Sequence, residues 1–330
     1  MERYARQLVL PEIGEEGQSK IIEGSVAVFG LGALGSTISE ALARTGVGKL
    51  RLVDRDFVEV SNLNHQILYS EKDIGMPKAE AAVDRIKKIN SDVETEGEVV
   101  DINPNNIEKL IEDVDMVLDG TDNMEVRYII NDACVKYEVP WIYTAVLGTY
   151  GMSLNLIPEK TPCLRCIIPE KPSAGEMETC ETAGVLSTLP RIMANIAATE
   201  AIKFLTGISM RKELLTVDIW NSDFELTDVE RREGCRTCAD RDFEFLQSEG
   251  AMTTELCGRG AVQINPGEKV ELDLTTLEER FESSELKGEN LIKVYLEDYT
   301  LNIFKDGRGI IEGTEDSKKA KSLYSRYIGN

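Results

Sequence analysis

Four of the chain's seven cysteines stand in two C-x-x-C pairs, Cys163-Leu164-Arg165-Cys166 and Cys235-Arg236-Thr237-Cys238. Four thiolates in two such knuckles match the tetrahedral sulfur set of a structural zinc with no open coordination position. The pairs lie 69 residues apart, far wider than in a compact zinc finger, so the metal would staple two distant segments. An iron–sulfur centre and redox-active dithiols are the alternatives. Cys180 stands in an irregular stretch, Glu178-Thr179-Cys180-Glu181-Thr182-Ala183-Gly184, and is a candidate nucleophile. The glutamates beside it would raise its pKa and oppose a resting thiolate. Cys134 falls on the apolar face of a helix and reads as core. At Cys257, before Gly258-Arg259, a second reactive thiol is an option.

A second group of residues could hold a nucleotide. Gly30-Leu31-Gly32-Ala33-Leu34-Gly35 follows the apolar run Ser25–Phe29 and opens a helical pattern. Glycines in that context allow a tight turn and close approach of phosphates to backbone N–H groups at a helix start. Asp54 lies 19 residues past Gly35, at the end of the next strand, where a carboxylate can take ribose hydroxyls. The polar run Ser61-Asn62-Leu63-Asn64-His65-Gln66 follows. Lys78 begins a helix after Gly75-Met76-Pro77, and Gly120-Thr121-Asp122-Asn123 follows a further strand. All of these can meet at the carboxyl ends of strands in an open sheet. A cation and a carboxylate there suit a triphosphate and its Mg²⁺ better than a nicotinamide. The plainer readings are a solvated Lys78 and an Asp122 that caps the helix starting near Glu125.

These residues need a frame. Strands at Ser25–Phe29, Lys49–Asp54, Glu96–Val100, Asp115–Asp119 and Trp141–Tyr143 alternate with helices at Ala33–Thr45, Lys78–Asn90, Asn105–Ile111 and Glu125–Tyr137. That alternation predicts a Rossmann-like α/β fold, a mostly parallel sheet with flanking helices. Met152–Ile157 extends the sheet, 169–184 is a loop, and Arg191–Leu205 is a helix closed by Gly207. Ala239–Glu255 reads as a linker. Residues 257–330 read as a small α/β module: a helix at Leu274–Phe281, a strand at Ile292–Leu296, a hairpin turning at Lys305-Asp306-Gly307 and a terminal helix at Ser317–Tyr327.

Composition narrows the chemistry. The 330 residues carry 37 Lys+Arg against 59 Asp+Glu, a net charge of -22. That argues against nucleic acid as a partner, since a phosphate-backbone binder needs a basic face. The acidity is concentrated before residue 257, with a net of -19 there against -3 beyond. His65 is the single histidine, which excludes multi-histidine metal centres, H-E-x-x-H sites and most triads. No run of eighteen apolar residues exists, and Met1-Glu2-Arg3-Tyr4-Ala5-Arg6 lacks the apolar core of a secretory signal. A cytoplasmic protein is expected, where cysteines serve metal or thiol chemistry.

The motifs taken together resemble the MoeB/ThiF/HesA family, prokaryotic relatives of ubiquitin-activating enzymes. The resemblance rests on Arg3-Tyr4-Ala5-Arg6-Gln7, the glycine loop, Asp54-Arg55-Asp56, Ser61-Asn62-Leu63-Asn64, Pro77-Lys78, Thr121-Asp122-Asn123, the two C-x-x-C pairs, and Cys180 ahead of Ala183-Gly184-Val185. It covers residues 1 to about 240. It implies an adenylation domain with structural zinc over 1–250 and a C-terminal module, 257–330, like the tail of some longer members.

The resemblance further implies ATP- and Mg²⁺-dependent adenylylation of the C-terminal glycine of a small ubiquitin-like sulfur-carrier protein ending in Gly-Gly. Gly30, Gly32, Ala33 and Gly35 would line the nucleotide, with Asp56, Ser61 and Asn123 in the same site. Asp54 would take the ribose. Asn62, Asn64 and Lys78 would approach the phosphates, and Asp122 would place Mg²⁺. Arg6 would reach the γ-phosphate of the other protomer's ATP, implying a homodimer. Cys180 matches a cysteine that links to the carrier through sulfur in some members and is dispensable in others. A sulfurtransferase or cysteine desulfurase would be a further partner, with molybdopterin or thiamin among the destinations of the sulfur. The family usually has Arg where this chain has His65. A shorter, mostly neutral imidazole would stabilise phosphate charge less. The rivals are an NAD-dependent oxidoreductase and a non-catalytic adaptor of the same fold.

Overall fold

The computed structural model describes residues 1–172, 180–247, 253–256, 260–266 and 270–329; for 180, 181 and 253–256 it describes the backbone alone. The chain divides into two units, 1–74 with 78–248, and 75–77 with 249–330.

In the first unit the chain runs α1 (Ala5–Leu8), α2 (Gly14–Glu23), β1 (Ser25–Phe29), α3 (Ala33–Thr45), β2 (Lys49–Val53), α4 (Lys78–Ile89), β3 (Glu94–Glu98), α5 (Ile107–Ile111), β4 (Met116–Asp119), α6 (Met124–Lys136) and β5 (Trp141–Leu147). It continues through β6 (Tyr150–Leu156), α7 (Leu164–Ile167), α8 (Cys180–Ala183), α9 (Leu189–Thr206), β7 (Leu214–Asp218) and β8 (Asp223–Thr227). The eight strands form one sheet, ordered β3-β2-β1-β4-β5-β6-β7-β8. β1 to β5 are parallel and the remaining pairs antiparallel.

β1 is central because Val26–Phe29 is apolar throughout and is fully buried between helices on either face. Its neighbours are β2 and β4, so the chain reverses its direction of winding between β1 and β4, where open α/β sheets bind ligands. α3 stops at Gly46, whose φ of 92° is left-handed and whose N–H closes onto the carbonyls of Ala43 and Leu42.

Four sequence expectations are corrected. β3 lies at 94–98 rather than 96–100. It has no apolar stripe, and cross-strand pairs hold it instead, with Lys49 2.7 Å and Arg51 3.1 Å from Glu96. The strand expected at 141–143 runs to Leu147 and turns at Gly148 into β6. β7 and β8 complete the sheet where no strand was read; every residue of β8 is exposed, so that strand carries no buried pattern to find. The segment read as a linker from Ala239 is anchored as far as Leu246. Phe243, Phe245 and Leu246 pack onto the core, and the Phe245 ring lies 4.8 Å from Tyr128. Three apolar residues among charges have no period to reveal them.

The second unit is an antiparallel six-stranded sheet ordered β11-β12-β13-β14-β10-β9. Its strands are β9 (Thr253–Leu256), β10 (Ala261–Ile264), β11 (Ser284–Lys287), β12 (Leu291–Tyr295), β13 (Thr300–Phe304) and β14 (Gly309–Glu312). Helices α10 (Leu274–Glu278) and α11 (Ser317–Tyr327) start at Asp273 and Asp316, whose carboxylates cap them. Their Leu274, Leu277, Ala320 and Leu323 meet Val262, Ile292, Val294, Leu301, Ile303 and Ile311 in a separate core. Sequence reading found three of these six strands; the other three, β9, β10 and β11, are only four residues each. Among the described residues, no helix is long and apolar enough to cross a membrane.

Candidate active site and cysteine cluster

The crevice is built on a three-way backbone contact. A Cβ added at Gly35 would lie 1.7 Å from the Gly30 carbonyl oxygen, and one at Gly120 would lie 2.4 Å from the same atom. One at Gly30, where φ is +78°, would lie 2.7 Å from the Gly120 carbonyl. The loop after β1, the start of α3 and the loop after β4 therefore interlock, and only glycine fits at these three points. Gly32 differs. Its nearest neighbour would be Gln66 Nε2 at 4.0 Å, so open space lies before the loop there. No side chain caps α3 at Gly32, which leaves first-turn N–H groups for an anion. A phosphate-bearing ligand fits this cradle.

Side chains from two segments fix the loop. Leu31 N–H donates to Asp54 Oδ2 at 2.6 Å, and Asp56 N–H donates to Asp54 Oδ1 at 2.7 Å. Each carboxylate oxygen keeps lone-pair capacity for a further donor. Burial raises the Asp54 carboxyl above the usual range; Lys78 opposes that shift and Asp56 adds to it. The Tyr69 hydroxyl donates to the Leu31 carbonyl at 2.9 Å and lies 3.4 Å from the Lys78 carbonyl.

Lys78 is not a solvated helix residue. It is 4% exposed, and its ion-pair partner among the described residues is Asp56, at 3.6 Å, beyond hydrogen-bond reach. The start of its helix is tied to the loop after β2, with Lys78 N–H donating to the Asp56 carbonyl at 2.9 Å. A buried ammonium with so loose a partner has interaction capacity left for an anion.

The segment 60–66 forms a 3₁₀ turn, Val60–Asn64, in a capping box. Asn62 Oδ1 accepts from Glu59 N–H at 3.1 Å, which commits one end of its amide to the loop. Asn64 and Ser61 are exposed. His65 is half-buried, with Nδ1 against Asn64 Oδ1. Burial and then Lys78 push its pKa below 6.5, so its ring is neutral at pH 7. Gln66 is 5% exposed, and its buried amide oxygen has no partner among the described residues.

The loop after β4 resolves the choice at Asp122. Asn123 is the N-cap of α6, its Oδ1 accepting from Glu125 N–H at 2.8 Å and Val126 N–H at 3.3 Å. Asp122 is therefore released from capping and is exposed, within the electrostatic reach of Arg55 and Arg127. Arg127 holds the loop from below. It meets Asp119 Oδ2 at 3.1 Å and donates to the carbonyls of Thr121 and Thr144, while Asp119 Oδ1 accepts from Thr121 N–H and Oγ1.

Arg6 is not brought to this crevice. Exposed on α1, it follows Tyr4, which packs against Gly46, and precedes Gln7, which donates to the Thr45 carbonyl at 3.1 Å. These anchors sit at the C-terminal end of α3. The glycine loop is at the other end, about 18 Å away along a helix of this length.

The four knuckle cysteines converge, their Sγ atoms all within 4.8 Å of one another. Cys163–Cys235, Cys166–Cys238 and Cys163–Cys166 are separated by 3.5, 3.4 and 3.9 Å. Zinc–sulfur bonds of about 2.3 Å give tetrahedral edges of about 3.8 Å, so the cluster could hold this metal. One helix carries both knuckles. Asn131 Oδ1 accepts from Leu164 N–H at 2.9 Å, and Asp132 Oδ1 accepts from Thr237 Oγ1 at 2.6 Å. Cys134 is buried core, with its thiol pKa pushed far up by burial. Cys180 begins the backbone of α8, but its side chain lies outside the described residues, as does Cys257.

A family model described as "ThiF family" matches residues 4–237. The chain belongs to the ThiF family. Its relatives include the sulfur carrier protein ThiS adenylyltransferase of Bacillus subtilis, 40% identical over 99% of both chains. The sulfur carrier protein adenylyltransferase of Thermus thermophilus is 36% identical, covering 78% of this chain and 97% of that one. Escherichia coli MccB, solved with ATP, superposes with a TM-score of 0.64 at 22% identity, over 72% of this chain and 75% of that one; it shares the fold.

Within this ThiF-family chain, sequence reading named Gly120 and Gln66 only inside longer runs and missed Asp119, Arg127 and Tyr69 as parts of the site. Gly120 stood beside residues already singled out and had the signal of a glycine ending a strand. Arg127 and Tyr69 had none, since an arginine within a helix and a tyrosine after a polar run are ordinary until their partners are known.

Proposed function

We propose that the chain is an adenylyltransferase of the ubiquitin-activating type, which uses ATP to activate the C-terminal glycine of a small ubiquitin-like sulfur carrier. One observation carries the proposal: the buried, loosely paired Lys78 beside an open glycine cradle at the strand-order reversal. The full-length likeness to a ThiS adenylyltransferase makes a ThiS-type carrier the first to test.

In this reading the carrier's terminal carboxylate attacks the α-phosphorus in line, and pyrophosphate leaves. That carboxylate, with a pKa near 3.5, arrives ionised, so the step needs no general base and a chain with one histidine can perform it. The work is positioning and charge stabilisation. Gly30, Gly32, Ala33 and Gly35 shape the cradle, Asp54 faces the ribose, and Lys78 faces the phosphates. Asp56, Ser61, Asn62, Asn64, His65 and Asn123 line the site's rim. Asp122 would hold Mg²⁺, which supplies charge neutralisation on the phosphates. The chain acts as a homodimer in which Arg6 serves the partner's site, an assignment supported by its distance from its own. Residues 1–250 form the adenylation domain, stapled by zinc on Cys163, Cys166, Cys235 and Cys238; residues 257–330 are an accessory module. The acyl group then passes to a sulfur nucleophile, Cys180 or the persulfide of a sulfurtransferase or cysteine desulfurase, and AMP leaves.

The test is carrier-dependent ATP–pyrophosphate exchange. Wild-type protein should exchange with a carrier ending in Gly-Gly, and Lys78→Ala and Asp122→Ala should lower the rate at least a hundredfold. Near wild-type exchange in both variants would sink the site assignment. Reduction of NAD without any ATP chemistry would favour the oxidoreductase instead.

A further inference from the structure

Tyr69 belongs to none of the motifs, yet its side chain bridges the two elements on which nucleotide chemistry would depend. It is buried, its hydroxyl 2.9 Å from the Leu31 carbonyl in the glycine loop and 3.4 Å from the Lys78 carbonyl at the start of α4. Burial, reinforced by the carboxylates of Asp54, Asp73 and Asp56, holds the phenol pKa well above 10, so it remains a proton donor throughout the working range.

The contact with Leu31 has a defined consequence. In a trans peptide the C=O and the next N–H point to opposite sides. Drawing the Leu31 carbonyl toward Tyr69 turns the Gly32 N–H away from Tyr69. The other peptide group of Leu31 is fixed as well, its N–H held by Asp54 at 2.6 Å. Leu31 is thus gripped on both of its backbone groups, but the Leu31–Gly32 peptide owes its orientation to Tyr69. With glycine on one side, that peptide could flip at little steric cost and would then present a carbonyl oxygen where a phosphate should meet an N–H.

Resting on the nucleotide-binding reading above, we propose that Tyr69 is a positioning residue: its hydroxyl locks the Leu31–Gly32 peptide so that the Gly32 N–H serves the phosphates, and couples that lock to the first turn of the Lys78 helix. Tyr69→Phe removes the hydroxyl and keeps the ring. Tyr128→Phe is the control, because Tyr128 also spends its hydroxyl on a backbone carbonyl, that of Ile168 at 2.8 Å, on the cysteine-cluster side.

The experiment measures ATP affinity by titration calorimetry, KM and kcat for ATP in carrier-dependent pyrophosphate exchange, and Tm for both variants. Tyr69→Phe should weaken ATP binding and raise KM about tenfold, with a smaller fall in kcat, while Tyr128→Phe keeps wild-type KM at a comparable Tm loss. In ¹⁵N-labelled wild-type protein the Gly32 amide should shift on adding ATP, and that shift should shrink in Tyr69→Phe. Unchanged KM in a folded Tyr69→Phe protein overturns the proposal. So does an equal rise in KM for both variants, which would make the effect one of general stability. Wild-type protein that binds no ATP overturns the functional reading and this proposal together.

Discussion

Arg127 Nε stands 3.1 Å from Asp119 Oδ2, a buried pair that joins the second turn of α6 to the last residue of β4. Burial alone would lower the arginine and raise the aspartate. Asp119 reverses the effect on Arg127, which ends above its ordinary value, while Asp119 stays raised despite Arg127 and Thr121. The pair matters through what it holds, since the same two residues make three contacts with Thr121, directly before Asp122, and a fourth with the Thr144 carbonyl on β5.

Removing one partner should therefore cost more than a surface ion pair. Arg127→Leu should destabilise the first unit by about 3–5 kcal/mol, because Asp119 is left buried and unpaired. The double variant Asp119→Asn with Arg127→Leu should recover part of that loss in urea denaturation. It should nevertheless remain poor in exchange, since the loop carrying Asp122 is no longer braced. Full activity in the double variant would show that the brace is unrelated to the site.

The remoteness of Arg6 from its own cradle gives a complementation test. Arg6→Ala and Lys78→Ala chains should each be inactive alone. If Arg6 serves the partner's site, random mixing in equal amounts should restore about a quarter of the wild-type rate, from the one intact site in each mixed dimer. Mixtures no better than the separate variants would place Arg6 elsewhere in the chemistry.

His65 predicts a pH dependence of known sign. Its folded pKa is depressed by burial and then by Lys78, so the neutral ring is favoured in the fold. The associated stability is complete above the unfolded value of about 6.5 and is lost as pH falls through the lower folded value. His65→Gln should lose less stability than wild type between pH 7 and pH 5 in thermal melts. Between pH 7 and 8.5 the exchange rates of the two should run parallel, because the ring carries no charge to lose. His65→Arg, which restores the cation usual in the family, should raise kcat several-fold; a drop would mean that the imidazole's size is what the site requires.

Purified protein should contain about one zinc per chain. Cys163→Ser should release it and lower Tm markedly, since a structural metal's binding energy is folding energy. Because Asn131 and Asp132 tie both knuckles to α6, metal loss should also raise KM for ATP through the helix that carries Asn123 and Arg127. A metal-free protein with wild-type Tm would refute the staple.

The sequence by itself determined the chemistry on offer. Glycine spacing after an apolar strand, two C-x-x-C pairs and a lysine at a helix start each carry their meaning in local order. So do the alternating strands and helices of the parallel sheet, because burial on both faces writes continuous apolar runs. What the sequence could not state was which side chains are spent on the fold and which remain for a ligand. Asp122 could be read as the cap of the next helix until α6 took Asn123 instead. Lys78 was indistinguishable from a surface lysine until packing buried it beside a carboxylate too distant to bond. Tyr69 and Arg127 gained their roles from backbone carbonyls 38, 9, 6 and 17 residues away. Contacts of that kind are set by how the strands pack side by side, and they leave no periodicity along the chain. The edge strand β8 escaped detection, and β3 was placed two residues late, for the same reason: pairing with a neighbour, rather than an apolar face of their own, makes them strands.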